Sequence, residues 1–365
     1  MDIHDSSKTK IIATIGPASS SETKLREIIC AGIDVCRLNF SHGTHENHKI
    51  IIDRIKKLNE QMGTHIAILA DLQGPKIRLG EMEDGVIVED GESVVFTNEP
   101  CVGNKNKIYI SYHDLPKDIK VGDNILVDDG KLKFEVVSTD SKKQIEAKTI
   151  HGGPVSSKKG VNLPNTHLSV PSLTEKDILD VHFILDNDVD WIALSFVRWA
   201  RDILELKKIV RDRNKNVLVL AKIEKPEALT DIDAIIDESD AVMVARGDLG
   251  VEVSFDEVPY FQKQIVQKCI SRSTPVVIAT QMLESMITNF RPTRAEANDV
   301  ANAVFDCADT VMLSGETSVG SYPVDAIVSM QRIIDVAEGT EFVLDHEHLP
   351  DIESVSYIPD SACYN

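Results

Sequence analysis

The chain has 365 residues, 42% of them hydrophobic, and its 59 acidic and 39 basic side chains give a net charge of −20. This length suits one large domain or two ordinary ones, and the hydrophobic content excludes global disorder. The negative charge argues against binding of nucleic acid or of an anionic membrane. The opening MDIHDSSKTK lacks the apolar region of a secretory signal, and no run of about 18 apolar residues predicts a membrane span.

Six cysteines are scattered along the sequence without forming a C-x-x-C pair. They are Cys30, Cys36, Cys101, Cys269, Cys307 and Cys363. Several lie inside apolar periodic stretches, so we expect reduced thiols that are buried or half-buried in a cytoplasmic protein.

Eight apolar, β-rich segments recur along the chain. The predicted strands are 10–16, 34–40, 65–71, 191–197, 217–224, 241–247, 275–281 and 310–315. The helix-like segments between them are 21–32, 46–63, 174–186, 201–213, 256–270 and 293–306. Near-continuous hydrophobic strands are typical of parallel sheets buried on both faces. Their number and alternation with helices predict a (β/α)8 TIM barrel, with a doubly wound parallel sheet as the alternative.

One interval breaks this alternation, because 126 residues separate Asp71 from Val197. It contains short strand-like runs separated by turn signals such as EDG, VGD, DDG and HGG. We therefore predict a barrel at 1–74 and 171–345, with a small all-β domain at 75–170 inserted after the third strand. Such a domain would lie over the catalytic face of the barrel and act as a lid.

Polar side chains concentrate at the C-terminal ends of the predicted strands, where barrels of this type carry their chemistry. They are Arg37, Asn39, Ser41, Asp71, Lys222, Glu224, Arg246, Asp248, Thr280, Gln281, Ser314 and Glu316. A single charged residue at a strand end is usually a solvated cap. Several strand ends with this pattern instead predict one site, at which three cations and three carboxylates converge.

Glu224 and Asp248 are candidates for a metal site. Two carboxylates about 4 Å apart repel by roughly 4 kcal/mol at an effective dielectric of 20, and a divalent cation relieves that repulsion. Oxygen ligands suit Mg²⁺ or Mn²⁺. The alternative is a pair of separate salt bridges to Lys222 and Arg246. Free cations would receive an anionic substrate, most naturally a phosphate or carboxylate.

The sequence contains no G-x-x-x-x-G-K-[ST] loop, no HRD or DFG set and no G-x-G-x-x-G opening a helix. A nucleotide would therefore be bound by barrel loops and the inserted domain.

Eleven short motifs occur in order along the chain. They are KIIATIGPAS, CRLNFSHG, DLQGPKIRLG, VDDG, KKGVNLP, LTEKD, AKIEKPEAL, VARGDLGVEV, ATQMLESM, RPTRAEANDVANAV and MLSGETSVGSYPVDA. Together they resemble the pyruvate kinase family over essentially the whole length. The resemblance implies the last step of glycolysis, in which Mg²⁺-dependent transfer of a phosphoryl group from phosphoenolpyruvate to ADP gives pyruvate and ATP.

The resemblance also implies roles for individual residues on the substrate side. Lys222 would stabilise the transferring phosphoryl group, and Arg37 would contact that group. Glu224 and Asp248 would hold Mg²⁺. The backbone of Ala245, Arg246 and Gly247 would position the substrate carboxylate. Thr280 would lie beside the enolpyruvate carbon. Ser314 and Glu316 would hold a proton-delivering water.

On the nucleotide side the family resemblance implies a second set of residues. They are Asn39, Ser41, His42, Arg78 and Lys159, with Lys158 as a substitute for Lys159.

The family resemblance of the stretch DLQGPKIRLG also concerns the requirement for a monovalent cation. Asn39, Ser41, Asp71 and the carbonyl of Leu72 match the family's K⁺ site, and K⁺-requiring members commonly carry Glu where this chain has Lys76. The combination of Leu72, Gln73 and Lys76 resembles that of the family members that do not need K⁺. A tethered ammonium supplies the charge that K⁺ brings. The alternative is that Lys76 is a solvated turn residue.

Family members usually continue into a C-terminal α/β domain, so the resemblance assigns 346–365 to a linker and the start of a missing domain. The RPTRAEAND segment resembles one that the family uses at a subunit interface, which implies a homodimer through the barrel, with a tetramer left open; an exposed amphipathic helix is the alternative. Two rival functions are a Mg²⁺-dependent barrel lyase or aldolase without a nucleotide, and a chain that binds ligands without turnover.

Overall fold

The computed structural model describes residues 7–164 and 166–340, so the predicted linker at 346–365 and the last five residues of the predicted barrel lie outside it. The described chain contains sixteen strands, of which three precede the insertion, eight lie within it and five follow it. They are β1 (Lys10–Thr14), β2 (Val35–Asn39), β3 (Ala67–Asp71), β4 (Ile87–Val88), β5 (Ser93–Thr97), β6 (Lys107–Tyr109), β7 (Asn124–Val127), β8 (Leu132–Thr139), β9 (Gln144–His151), β10 (Gly153–Pro154), β11 (Val161–Asn162), β12 (Trp191–Leu194), β13 (Leu218–Ile223), β14 (Ala241–Ala245), β15 (Val276–Ala279) and β16 (Thr310–Leu313).

The eight strands outside the insertion are all parallel and close into a barrel. The order runs β1, β2, β3, β12, β13, β14, β15, β16, and β16 returns to pair with β1. Closure confirms the predicted (β/α)8 barrel. It makes the doubly wound sheet wrong, because an open sheet would leave β1 and β16 as unpaired edges.

Alternation along the strands divides the barrel core into two layers, because successive side chains point to opposite faces. Ile12 of β1 packs with Leu69, Leu220 and Met243 in a small cluster built from strand residues, which fills the barrel interior. Its neighbour Ile11 belongs instead to the large cluster between the strands and the surrounding helices. This second layer holds the helices in place and so fixes where each strand ends.

Twelve helices and one 3₁₀ turn, η1 (Glu284–Ile287), complete the described chain. The helices are α1 (Glu22–Cys30), α2 (His45–Met62), α3 (Leu115–Asp118), α4 (Glu175–Asp186), α5 (Ala200–Asp212), α6 (Pro226–Thr230), α7 (Ile232–Glu238), α8 (Arg246–Glu252), α9 (Val258–Ser271), α10 (Arg294–Phe305), α11 (Gly315–Ser318) and α12 (Pro323–Glu338). The side chains of Ser21, Thr44, Thr174 and Thr293 each accept a hydrogen bond from an amide of the first turn. These caps explain why four of the predicted helices begin where the sequence signals place them.

The strands between β3 and β12 form two sheets of their own, and all eight lie within the predicted segment 75–170. A two-stranded sheet pairs β4 with β10, and a six-stranded sheet has the order β11, β7, β8, β9, β5, β6. They enclose a hydrophobic cluster separate from the two in the barrel. One helical turn, α3, interrupts the predicted all-β pattern, and Pro116 in its first turn favours that start. The domain boundaries remain a prediction.

Within the described ranges, no helix combines the length and apolar character needed to cross a membrane.

The cysteines divide by exposure. Cys36 and Cys269 are buried and Cys101 and Cys307 are half-buried, as expected, but Cys30 is exposed. The prediction was wrong for Cys30. This cysteine is the last residue of α1, and the buried face of that helix is formed by Leu25, Ile28 and Ile29. Cys363 lies outside the described residues.

Thiol reactivity should follow this division. Burial raises the pKa of the Cys36 and Cys269 thiols to about 12, so almost no thiolate is present at pH 8. We expect iodoacetamide to label Cys30 in the folded protein and to spare Cys36 and Cys269, as read by peptide mass spectrometry. The denatured protein serves as the control, since all three should react. Labelling of Cys36 as fast as Cys30 would contradict the packing described here.

Candidate active site

Arg37 and Asp71 form a buried ion pair between neighbouring barrel strands. Arg37 lies on β2 and Asp71 ends β3. The guanidinium donates through Nε to Asp71 Oδ2 at 2.7 Å, and its Nη2 lies 2.6 Å from the same oxygen. Its Nη1 donates to Thr14 Oγ1 at 2.9 Å. The two charges are therefore held at the carboxyl end of the barrel with little freedom to move.

Lys222 lies at the centre of this cluster. It is on β13 and 8% exposed, and its Nζ lies 3.2 Å from Asp71 Oδ1, 2.9 Å from Glu224 Oε1 and 2.7 Å from Ser195 Oγ. Burial alone would lower the pKa of Lys222, but the carboxylates of Asp71 and Glu224 raise it above its ordinary value. The ammonium therefore stays charged at neutral pH although it is buried.

For Asp71, as for Lys222, neighbouring charges outweigh the effect of burial on the pKa, but the shift is downward. Burial alone would raise its pKa, but Lys222 and Arg37 bring it below the ordinary value. Asp71 is thus an anion that holds two cations at fixed positions.

Glu224 and Asp248 are the candidate metal ligands. Glu224 is 1% exposed, and its Oε2 accepts a hydrogen bond from the Phe196 amide at 2.8 Å. Burial raises the pKa of Glu224, Lys222 opposes that rise and the nearby Asp248 adds to it. Asp248, in the first turn of α8, is half-buried and has no hydrogen-bond or ion-pair partner for its side chain among the described residues. A buried carboxylate beside a second, unpaired one fits a divalent cation.

No group of three or more His, Cys, Asp or Glu side chains with metal-binding geometry occurs in the described part of the chain. Glu224 and Asp248 would supply two carboxylates, which leaves further positions for water and ligand oxygens. That is the pattern Mg²⁺ commonly adopts in proteins.

Arg246 does not join the other two cations. Its Nη1 lies 2.7 Å from Asp299 Oδ2 on α10, and its Nη2 donates to the Thr280 carbonyl at 2.7 Å. The expected convergence of three cations is therefore corrected to two, because a helix-borne carboxylate holds this guanidinium. Of the two alternative salt bridges, Lys222–Glu224 forms, whereas Arg246 pairs with Asp299 in place of Asp248.

Thr280 has a strained backbone beside α8. Its φ is 69° and that of Gln281 is 56°, and a β-branched side chain rarely adopts such a conformation. Thr280 Oγ1 accepts a hydrogen bond from the Gly247 amide and donates one to the Ala279 carbonyl, each at 2.6 Å. Strain of this kind costs about 1–3 kcal/mol and concentrates at functional sites. The hydroxyl is thereby fixed next to Gly247.

Ser314 and Glu316 follow β16. Glu316 is fully buried, and its two oxygens accept hydrogen bonds from the backbone amides of Leu283 at 3.1 Å and Ser314 at 2.7 Å. The carboxylate thus joins the loops after β15 and β16. Its predicted contact with a proton-delivering water stays a prediction.

Three of the predicted nucleotide-side residues, Asn39, Ser41 and His42, lie at or just after the end of β2. Asn39 and His42 line a pocket of about 690 Å³ together with residues of the loop after β1. Asn39 Oδ1 accepts a hydrogen bond from the Ser41 amide at 3.0 Å. Partial burial lowers the pKa of His42, and the positive charges of Arg78, Lys76 and Arg37 lower it further, so the ring is neutral at pH 7.

Arg78 and the two lysines near it connect the barrel loop to the inserted sheet. Arg78 Nη1 donates to the Lys158 carbonyl at 3.0 Å. The ammonium of Lys158 lies 2.8 Å from Glu81, and that of Lys159 lies 2.9 Å from Asp128. Both lysines are on the turn that precedes β11.

Lys76 follows the turn at Gly74, whose φ is 64°. A Cβ on Gly74 would come within 2.8 Å of the Phe196 ring, so this close approach requires glycine. Lys76 is exposed, and its ammonium forms no ion pair with any described residue. It lines a narrow cleft between barrel and insertion together with Phe196 and Asp248. Asn39, Ser41 and Leu72 lie at or just after the neighbouring strand ends.

The sequence prediction missed Ser195 and Thr14. Ser195 Oγ bonds both to Lys222 and to the Leu72 carbonyl, the latter at 2.8 Å. Thr14 holds Arg37 from the end of β1. Each is a lone hydroxyl at the end of an apolar run. That signal is visible in the sequence but common enough that it does not stand out.

A parallel barrel whose strand ends hold buried cations beside carboxylates is typical of an enzyme that binds an anionic substrate. The comparisons with known proteins agree. A family model described as pyruvate kinase, barrel domain, matches residues 6–327.

The pyruvate kinase of Corynebacterium glutamicum is 49% identical over 94% of this chain and 72% of its own length, and that of Staphylococcus aureus is 45% identical over 92% and 57%. The crystal structure of a pyruvate kinase from Cryptosporidium parvum aligns with a TM-score of 0.88 at 39% identity, covering 91% of this chain and 69% of that one. The chain belongs to the pyruvate kinase family.

Proposed function

We propose that this chain transfers the phosphoryl group of phosphoenolpyruvate to ADP, giving pyruvate and ATP in the cytoplasm, with Mg²⁺ (or Mn²⁺) and without a K⁺ requirement. The observation that carries the proposal is the ammonium of Lys222, buried and charged between Asp71, Glu224 and Ser195. Phosphoryl transfer depends on fixed positive charge that meets the charge spreading over the phosphoryl oxygens. Family membership supports the reaction.

Arg37 and Lys222 are the groups that bind the transferring phosphoryl group. Their positions are set by Asp71, which contacts both of them from the end of β3. A preorganised pair of cations costs no reorganisation during the reaction, which is why such pairs contribute strongly to rate.

Glu224 and Asp248 hold the divalent cation. When bound there, the ion neutralises negative charge on phosphate and carboxylate oxygens. The backbone of Ala245, Arg246 and Gly247 positions the substrate carboxylate, and the Thr280 hydroxyl next to Gly247 lies beside the carbon that gains a proton. Ser314 and Glu316 are our candidates for holding the water that delivers it.

The nucleotide occupies the pocket beside Asn39, Ser41 and His42, with its phosphates directed toward Arg78 and Lys159. A neutral His42 suits the rim of this pocket, because the neighbouring cations already supply the positive charge that phosphates require.

The direct experiment measures pyruvate formation from phosphoenolpyruvate and Mg²⁺, with and without ADP and with and without K⁺. We expect turnover that requires ADP and not K⁺. Pyruvate release without ADP would indicate a lyase or phosphatase instead. No pyruvate under any condition would leave a chain that binds without turnover.

Lys76→Glu should create a K⁺ requirement. The substitution reverses the charge in the cleft beside Asp248, and a monovalent cation is then needed to restore it. We expect turnover without K⁺ to fall by about tenfold or more and to recover in part when K⁺ is added, as K⁺ titrations with Na⁺ as the matched salt would show. Lys120→Glu, on the surface of the inserted domain, is the control. Unchanged, K⁺-independent turnover of Lys76→Glu would sink this assignment.

We also propose a homodimer through the barrel, using α10 and its RPTRAEAND segment. An apolar groove runs between α10 and α12, and its members Phe290 and Val336 are 55% and 72% exposed. Burying such side chains against a second copy removes apolar surface from water. Sedimentation velocity at micromolar concentration tests this, and a monomer at every concentration would favour the exposed amphipathic helix.

A further inference from the structure

Glu252, the last residue of α8, has an unusual set of contacts. It is 5% exposed, and its Oε1 accepts hydrogen bonds from Lys225 Nζ at 2.7 Å and from Asn162 Nδ2 at 2.9 Å. Its Oε2 is buried and has no hydrogen-bond partner among the described residues. Buried carboxylate oxygens normally accept hydrogen bonds, so a carboxylate with two bonds to one oxygen and none to the other is unusual.

The Lys225–Glu252 ion pair joins the same two elements that carry the proposed metal ligands. Lys225 follows Glu224 at the end of β13, and Glu252 comes four residues after Asp248 on α8. Residues four apart on a helix lie on the same face. The bond between Lys225 and Glu252 therefore ties the end of β13 to α8, and so fixes the separation of Glu224 and Asp248.

Asn162 brings the inserted sheet to the same carboxylate. It belongs to β11, which pairs with β7 and directly follows the turn that carries Lys158 and Lys159. Asn162, Lys225, Glu252 and Asp248 all line one narrow cleft between the barrel and the insertion. A single carboxylate thus contacts a barrel strand end and the inserted sheet at once.

We infer that Glu252 is a positioning residue that couples the closed placement of the inserted sheet to the geometry of the metal pair Glu224 and Asp248. The inference rests on the proposed function. The amide of Asn162 favours closure by bonding Glu252 Oε1, and the buried, unpaired Oε2 leaves this carboxylate incompletely satisfied in the closed placement. The Asn162–Glu252 bond is thus the contact through which the placement of the inserted sheet reaches the metal pair.

The test uses Mn²⁺ alone as a probe, with binding followed by electron paramagnetic resonance, together with steady-state kinetics. We expect Glu252→Gln to weaken Mn²⁺ binding about tenfold, because a neutral amide no longer holds Lys225. Asn162→Ala should weaken it about threefold and raise KM for ADP more than it lowers kcat. The effects of the two substitutions should not add in the double variant, since both act through one oxygen.

His167→Ala is the matched control. His167 also joins the segment returning from the insertion to the barrel, but it is exposed, lies 3.4 Å from Glu227, and neither residue lines the cleft that contains Asp248 and Glu252. We expect wild-type Mn²⁺ binding and kinetics for this variant. If Glu252→Gln does not fold, Asn162→Ala and Asn162→Asp carry the test, and the aspartate should weaken Mn²⁺ binding more through repulsion of Glu252.

Wild-type Mn²⁺ binding in Asn162→Ala would overturn the inference, as would additive effects in the double variant. Failure of the proposed function looks different. If the wild-type chain forms no pyruvate but Asn162→Ala still weakens Mn²⁺ binding, the coupling stands and the reaction assignment falls.

Discussion

Lys222→Met is expected to lower kcat by about 10³-fold while the affinity for phosphoenolpyruvate changes much less. Removing one preorganised charge that acts on the transition state typically costs 10²–10³ in kcat, and Lys222 is the charge at the centre of the cluster. A residue used mainly in the transition state changes kcat more than substrate binding. Stopped-flow turnover and equilibrium binding of phosphoenolpyruvate would measure the two quantities separately.

Lys222→Met should also lower the stability of the fold, so the loss of catalysis must be measured separately from the loss of stability. Without the ammonium, the buried carboxylate of Glu224 loses its charged partner and Asp71 keeps only Arg37. Breaking a buried pair in this way costs about 3–5 kcal/mol. Thermal unfolding should therefore show a lower Tm, and kinetics should be measured well below it. Lys207→Met removes a half-buried lysine paired with Asp240 and is the control. A Lys222→Met enzyme within tenfold of wild-type kcat would refute the assignment.

Asp248→Asn should raise the Mg²⁺ concentration needed for half-maximal turnover on the order of 100-fold. The amide keeps the size of the side chain and removes the charge that favours the cation. The fold should survive, because the Asp248 side chain has no hydrogen-bond or ion-pair partner in the described parts of the chain. Mg²⁺ titration of turnover measures the shift directly.

Asp306→Asn is the matched control, since this aspartate pairs with Lys263 on the surface of the barrel. It should leave the Mg²⁺ dependence unchanged. If both asparagine variants give the wild-type Mg²⁺ dependence, Asp248 does not hold the metal.

The sequence was sufficient for the barrel because its signal is local and repeated. Runs such as KIIAT and AVMVA are hydrophobic on both faces, as buried parallel strands must be, and capping residues such as Thr44 and Thr293 mark helix starts within a few residues. Eight such strands alternating with helices favour a closed barrel over a doubly wound sheet, and the pairing of β16 with β1 confirms it. The side chains at the strand ends could be found in the same way, because parallel strands bring their carboxyl ends to one face.

Which ion pairs form at that face could not be predicted from strand positions. Arg246 bonds Asp299, 53 residues further along the chain, and only the packing of α10 against the barrel decides this. Ser195 became recognisable as part of the site once the end of β12 was placed beside Lys222. The contact of Asn162 with Glu252 spans 90 residues and depends on how the insertion folds back. Such contacts are non-local, and sequence periodicity carries no information about them.

The central claim is that the cluster around Lys222 transfers a phosphoryl group between phosphoenolpyruvate and ADP. The most direct test is ³¹P NMR of the purified 365-residue chain with phosphoenolpyruvate, ADP and Mg²⁺ and without K⁺. The account predicts that the phosphoenolpyruvate resonance decays as the γ-phosphate resonance of ATP grows in equal amount, and that Lys222→Met abolishes this exchange on the same timescale. Decay to inorganic phosphate without ATP, or no decay in a folded wild-type chain that binds phosphoenolpyruvate, would contradict it.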